Sequence, residues 1–476
     1  MKNFKYIFVV VVFLLSLSKS WAQVTYPIAI DSTNFPDETF RNYVSSNWDK
    51  NNNGNLEDDE AADVIKISME SNTSVGEVNA IFFPNLKELS LNKCTALKKV
   101  DLTGCSNLET VNLQKDTSLT SLTMPETHML KSFNISECHA LTGLSMGESN
   151  STTALNIDIS GLRALETFYG KYLHNLSELK GQWSSDTVND IRSLKTLDLS
   201  GCTNIKKIDL YRCKKLKTII LPNEHLLETF SARECCLLTS LNMGESKSTN
   251  PLIVKIDGCQ CLKSFDGSKL YNLKEFICSG VGVSSYWFQK CENLNYVNLS
   301  GCTNLEKVYI NQSPLANGIT MPSEHKLKTF KAYRCQQLTS LVMGNSKSTE
   351  DLDVRIRGCQ SLVSFDGSGL GNLKILDCSA ADVQDYWHQK CENLNYVNLS
   401  GCTNLEEVYI NQSPLANGIT MPSEHKLKTF KAYRCQQLTS LVMGNSKSTE
   451  DLDVRIRGCQ SLVSFDGSGL GNLKIL

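Results

Sequence analysis

From Leu86 onward leucines recur every eleven residues, at 86, 97, 108, 119, 130 and 141, and in the first units further apolar side chains follow three and five positions later. The sets are Leu89/Leu91, Val100/Leu102 and Val111/Leu113, each followed by one more inward-type slot filled by Cys94, Cys105 and Asp116, with polar residues between. Apolar residues two apart have the period of a β-strand. Two such units make a coil of about 22 residues, and a single coil of that length cannot bury its apolar side alone, so coils must stack. The pattern predicts one elongated repeat solenoid over residues 64–476, right-handed, each coil built of two eleven-residue halves. Before it, Pro36-Asp-Glu-Thr-Phe40-Arg-Asn-Tyr43-Val44 carries apolar residues at helical spacing, which predicts a small helical cap over residues 23–63.

Leu86-Lys-Glu-Leu-Ser-Leu91-Asn-Lys-Cys94 and Leu294-Asn-Tyr-Val-Asn-Leu299-Ser-Gly-Cys302 resemble leucine-rich repeats. The eleven-residue metre, with cysteine in the usual asparagine slot, is similar to the BspA-like and internalin-like groups of secreted bacterial proteins. The resemblance implies an α/β-type leucine-rich-repeat solenoid that binds a protein or surface polymer of a host or neighbouring microbe. A structural surface or matrix component without a selective ligand is the alternative. An even spread of polar residues would favour the structural reading, and Tyr and Arg clustered on one face would favour binding.

A longer period overlies the first. Leu199-Ser-Gly-Cys202 returns at Leu299 and Leu399, so the super-repeat is 100 residues, with units at about 191–290, 291–390 and an incomplete 391–476. Residues 289–376 and 389–476 differ only at Lys307 versus Glu407, the mark of a recent duplication, with misjoined repetitive DNA as the alternative. Leu376 runs on into Asp377-Cys378-Ser379, whereas Leu476 is the last residue. A solenoid needs a capped end, so the sequence reads as a piece of a longer chain. At eleven residues per half-coil a super-repeat holds about nine half-coils, and strict alternation would put successive copies on opposite faces.

Residues 1–22 carry Lys2 and Lys5, an apolar run from Tyr6 to Leu17, then Ser20-Trp21-Ala22, the layout of a signal peptide cleaved before Gln23. The run is too short to span about 30 Å of hydrocarbon, and no later segment approaches transmembrane length. A secreted or cell-surface bacterial location is expected. Net charge is -2 with both signs interspersed, which leaves no basic stripe for nucleic acid.

Nineteen cysteines in an exported chain invite a disulfide framework, but most occupy the coil's turn slot, as Cys94, Cys105, Cys138, Cys202, Cys213, Cys302, Cys335, Cys402 and Cys435 do. Stacked equivalent sites suit disulfide torsions poorly, so these are expected to be reduced, buried thiols. Cys235-Cys236 and Cys259/Cys261 lack the further ligands that zinc requires. His128, His225, His325 and His425 share one repeat position after a Pro and a Glu and read as a turn feature. Phe365-Asp-Gly-Ser-Gly369 likewise reads as a turn. The sequence holds no metalloprotease, phosphate-loop or nucleophile-elbow motif, so no enzymatic activity is expected.

The one chemically specific motif lies in the cap. Asp49-Lys-Asn51-Asn-Asn53-Gly54-Asn55-Leu56-Glu57-Asp-Asp-Glu60 has the spacing of a twelve-residue EF-hand calcium loop. A hard cation needs six to eight oxygens. Asp49, Asn51 and Asn53 would supply side-chain oxygens, Asn55 its carbonyl, Glu57 a contact through water and Glu60 a bidentate carboxylate. Gly54 permits the sharp turn and Leu56 would point inward. An Asn/Asp-rich loop that merely stays solvated is the plainer reading. Along the solenoid, the candidate ligand-contacting residues are Tyr296, Tyr309, Lys331, Tyr333 and Arg334, repeated as Tyr396, Tyr409, Lys431, Tyr433 and Arg434. Tyr and Arg supply large contact area and directed hydrogen bonds, and a patch recurring on one scaffold permits multivalent binding.

Overall fold

Among the described residues, parallel strands, one from each coil, form a single sheet of 18 strands from Lys66–Ser68 to Leu473–Ile475. The computed structural model describes residues 24–181, 191–278, 291–379 and 391–476; the expected signal peptide lies outside the described residues. Each strand pairs with those of the preceding and following coils, and the first and last strands are open edges. In each strand the residue in register with Ile67 points inward, so Ile67, Leu89, Val111, Phe133, Ile208, Phe230, Phe330 and Phe430 belong to one buried row. Burying each such side chain contributes about 1.5–3 kcal/mol, and the row continues only if the next coil is present.

The other side of the coils carries shorter parallel sheets, among them Gly143–Ser145 to Thr218–Ile220 and Ser340–Val342 to Ile419–Thr420. A cysteine turn follows many strands, and Gly301 shows why the Ser-Gly-Cys form recurs. A Cβ on Gly301 would lie 1.8 Å from Ser268 O of the preceding coil, so only glycine lets the two backbones approach.

Both α-helices precede the first coil; among the described residues the coils consist of strands and turns. Helix α1 (Glu38–Trp48) starts at Asp37, whose Oδ1 accepts the Phe40 N–H at 2.8 Å, and buries Phe40 and Val44. Helix α2 (Asp58–Ala62) opens with a capping box between Glu57 and Glu60. The cap is fastened to the first coil by hydrogen bonds. Asp37 Oδ2 accepts the Gly76 N–H at 2.8 Å, and Tyr26 and Tyr43 donate their hydroxyls to Phe82 O and Ser68 O.

Strand register corrects the half-coil count. Lys307 pairs with Thr329, Thr329 with Asp353, Asp353 with Ile375 and Ile375 with Glu407. The coils therefore measure 22, 24, 22 and 32 residues, and one super-repeat is four whole coils. Successive copies therefore fall on the same face.

Seventeen cysteines are free, and those in the turn slot are buried. Their thiols donate across to the preceding coil: Cys94 to Met69 O at 3.1 Å, Cys105 to Ala80 O at 3.2 Å and Cys302 to Gly267 O at 3.1 Å. Burial pushes the Cys94 thiol up to about 11 and Cys105 to about 12, which keeps them protonated and unreactive. Cys278 and Cys291 depart from the expectation of unpaired thiols by forming a disulfide. They lie thirteen residues apart at the two ends of a longer connection and are not stacked equivalents; their counterparts Cys378 and Cys391 are free.

Candidate functional site

The outward positions of the long sheet form rows that run across the strands. One row reads Ser68, Ser90, Asn112, Asn134, Asp158 in the amino-terminal coils. In the super-repeats it becomes Ile277, Tyr309, Lys331, Arg355, Asp377, Tyr409, Lys431, Arg455. The next row out holds Asn311, Tyr333 and Arg357, then Asn411, Tyr433 and Arg457. With strands about 4.8 Å apart, equivalent side chains stand about 19 Å apart along the sheet.

Within each copy the side chains hold one another. Lys331 Nζ lies 5.9 Å from the Tyr309 ring centre, Lys431 lies 5.5 Å from Tyr409, and the Arg357 guanidinium lies 5.9 Å from Tyr333. Asp353 accepts from Arg355 Nε, and Asp377, itself buried, accepts from Arg357 Nε at 2.9 Å. Burial raises the Tyr333 hydroxyl above the usual phenol value. These contacts fix long side chains before any ligand arrives, which lowers the ordering cost of binding.

The ten residues expected from sequence do not form one patch. Tyr309, Lys331 and Tyr333 share the long sheet, as do Tyr409, Lys431 and Tyr433. Tyr296 and Tyr396 sit in strands on the other side of the coil, where each hydroxyl meets a threonine, Thr320 or Thr420. Arg334 and Arg434 leave the sheet at positive φ, 57° and 55°. Arg334 then lines a polar hollow of about 320 Å³ with Gln312, Pro314 and Gln336. Sequence reasoning missed Asp353, Arg355, Arg357 and Asp377. The alternation Asp353-Val-Arg355-Ile-Arg357 was the available signal, lying in the coil where the leucine metre lengthens to 24 residues.

The single difference between the two copies lies on this face. Lys307 Nζ pairs with Glu275 of the preceding coil at 2.9 Å, whereas Glu407 faces Ile375 and accepts the Tyr409 hydroxyl at 3.0 Å.

The loop at 49–60 closes on itself through the residues its motif singles out. Asp49 Oδ1 and Asn51 Oδ1 both lie 3.0 Å from the Asn53 N–H, and Asp49 Oδ2 accepts from Gly54 N at 2.9 Å. Glu60 reaches back to the loop's start, accepting from Lys50 N at 2.8 Å and from Glu57 N at 3.0 Å. Glu57 accepts the amides of Asn51 and Asn53, and the Asn53 hydrogen bond is the main cause that holds its carboxyl below the usual range. Gly54 has φ 80° and Leu56 is buried. Asn55–Leu56 pairs antiparallel with Ile28–Ala29, so a short strand of the cap braces the loop. Asp49 and Glu60 are both nearly buried and are met by backbone N–H groups. This donor set, carboxylates with amide oxygens and a bent backbone, fits a hard cation. Among the described residues no three His, Cys, Asp or Glu side chains gather round one ion-sized point, so asparagine and carbonyl oxygens would have to complete the sphere.

The four repeated histidines, expected in turns, are instead buried in two-residue strands. His325 Nδ1 accepts the Leu327 N–H at 3.2 Å and its Nε2 lies 2.9 Å from Met343 O, and His128 repeats the arrangement. Burial pushes His128, His225 and His325 down to about 4, so each is a neutral structural group. In the Asp-Gly-Ser segments Asp266 and Asp366 cap the N–H of Ser268 and Ser368 at 3.0 Å, which is turn geometry.

Residues 263–356 and 358–466 match the family described as BspA type leucine rich repeat region, in six copies. F-box/LRR-repeat protein 5 of Xenopus laevis is 31% identical over 101 residues, 20% of this chain; the chain spans 13% of that curated relative's length. Among solved structures, the functional domain of InlJ from Listeria monocytogenes, described as including a cysteine ladder, is 18% identical. The likeness covers 91% of this chain and 77% of that one, with a TM-score of 0.22. A leucine-rich repeat protein from Bacteroides ovatus ATCC 8483 is 14% identical, covers 79% and 80% of the two chains, and has a TM-score of 0.34. The coils from 263 to 466 are thus similar to BspA type repeats, and the fold of this chain is a leucine-rich-repeat solenoid.

Proposed function

We propose that this is an exported bacterial protein whose super-repeat sheet face binds a protein or surface polymer of a host or neighbouring microbe. The observation that carries the reading is the return of Tyr309, Lys331, Tyr333, Arg355 and Arg357 as Tyr409, Lys431, Tyr433, Arg455 and Arg457 on the same sheet, four strands on. Two near-equivalent patches on one rigid scaffold raise avidity without new contacts. No helix among the described residues is long and apolar enough to cross a membrane. The test is a binding screen against matrix proteins and microbial surface polymers, followed by deletion of residues 291–390. Dissociation from an immobilised ligand speeds up on the order of 10²-fold, while single-site affinity in solution is nearly unchanged. A screen without a binder, or unaltered dissociation, favours the structural component instead.

Calcium belongs to the same proposal. Asp49, Asn51, Asn53, the Asn55 carbonyl and Glu60 would hold it, with Glu57 acting through water, and bound calcium would supply a positive centre for the buried carboxylates. Binding to the folded cap raises its melting temperature by mass action, and Glu60→Gln removes most of the rise. Equal calcium uptake by both forms in calorimetry rejects the assignment.

A further inference from the structure

Asp116 occupies the turn slot that holds Cys94 one coil earlier and Cys138 one coil later. It is fully buried. Its Oδ1 accepts the Cys94 N–H at 2.7 Å, and its Oδ2, equally enclosed, has no hydrogen-bond partner. The flanking thiols donate to carbonyls 25 residues back, Cys94 to Met69 O and Cys138 to Leu113 O at 3.0 Å. The corresponding carbonyl for Asp116 is that of Leu91. A carboxylate has no proton to give there, whereas a carboxylic acid has one, and an uncompensated buried charge is costly.

The surroundings do not favour the charged form. The groups facing Asp116 are the Cys94 and Cys138 thiols, which burial pushes up to about 11 and about 12, and these in turn feel Glu70 and Glu137. Lys115, its neighbour in the chain, pairs with Glu137. No ion pair to Asp116 occurs among the described residues. Burial raises the Asp116 carboxyl to about 8, opposed by the Cys94 N–H.

We propose that Asp116 is a neutral carboxylic acid in the folded protein, standing in for a ladder thiol, and that the amino-terminal coils loosen as rising pH favours the opened form, in which this carboxyl is ionised. The folded carboxyl titrates above its unfolded value, so its stabilising contribution is full in acid and is lost as pH rises toward the folded value. The effect is local. The equivalent slots in the super-repeats hold Cys335, Cys359 or the neutral Ser313, and a solenoid can open coil by coil.

Hydrogen exchange of the full chain tests this, comparing peptides from residues 86–141 with peptides from 305–362 after correction for intrinsic rates. Between pH 6 and pH 9 the amino-terminal peptides lose protection on the order of 10²-fold, about tenfold for each pH unit up to the folded value and little beyond it, and the others hold theirs. Asp116→Asn, which keeps a donor and removes the charge, abolishes the loss. Asp116→Cys restores the ladder thiol and does the same, which guards against one variant folding poorly. Protection in 86–141 that is flat with pH, or that falls equally in both variants, overturns the proposal.

Discussion

The amino-terminal coils and the super-repeats share their interior and differ on their surface. Inward, Leu89 and Phe330 occupy equivalent, fully buried places in one sheet. Outward, the row beside them passes from Ser90 and Asn112 to Tyr309, Lys331 and Arg355. The apolar row fixes where the backbone goes, and the polar row is left free to vary. Large, mutually supported side chains concentrate in the region that has been duplicated, and small ones where the solenoid meets its cap.

The comparison breaks first at the core if it is wrong. Phe330→Ala and Leu89→Ala each empty a buried position and cost about 2–5 kcal/mol. Urea unfolding should therefore show comparable losses in both regions; a loss confined to one would mean that the interiors are not equivalent. Acid comes next. Burial holds His225 and His325 well below an ordinary imidazole, so their contribution is present above about pH 6.5 and is lost as pH falls toward 4. The loss approaches about 3 kcal/mol for each. His325→Gln should flatten that part of the pH profile of the unfolding midpoint, and an unchanged profile would refute the neutral-core assignment. The smallest effect sharpens the outward row. Lys307→Glu sets a carboxylate against Glu275 and costs up to about 1 kcal/mol, whereas Glu407→Lys, opposite Ile375, changes stability little. Equal effects of the two substitutions would mean that the Lys307–Glu275 pair contributes nothing particular to its copy.

The fold was legible because the leucine metre dictates both the strand period and the stacking. Of the loop at 49–60, the turn at Gly54 and the inward Leu56 were legible, seen in the positive φ of the one and the burial of the other. The face was not. Eleven-residue counting cannot see that coils of 22, 24, 22 and 32 residues keep one register, so Tyr296 was grouped with Tyr309 although the coil body lies between them. The histidines misled for a related reason. A polar residue after Pro and Glu looks like a turn, and only the paired backbone contacts of His325 with Leu327 and Met343 make its burial tolerable.

A unit of four whole coils also has a genetic meaning. Duplicating or losing one unit leaves every inward side chain inward and returns each outward one to the same face, about 19 Å further along. Errors in copying the repeat can therefore alter the reach of the molecule in fixed steps without asking any single residue to change. Length becomes a trait that selection can adjust independently of stability.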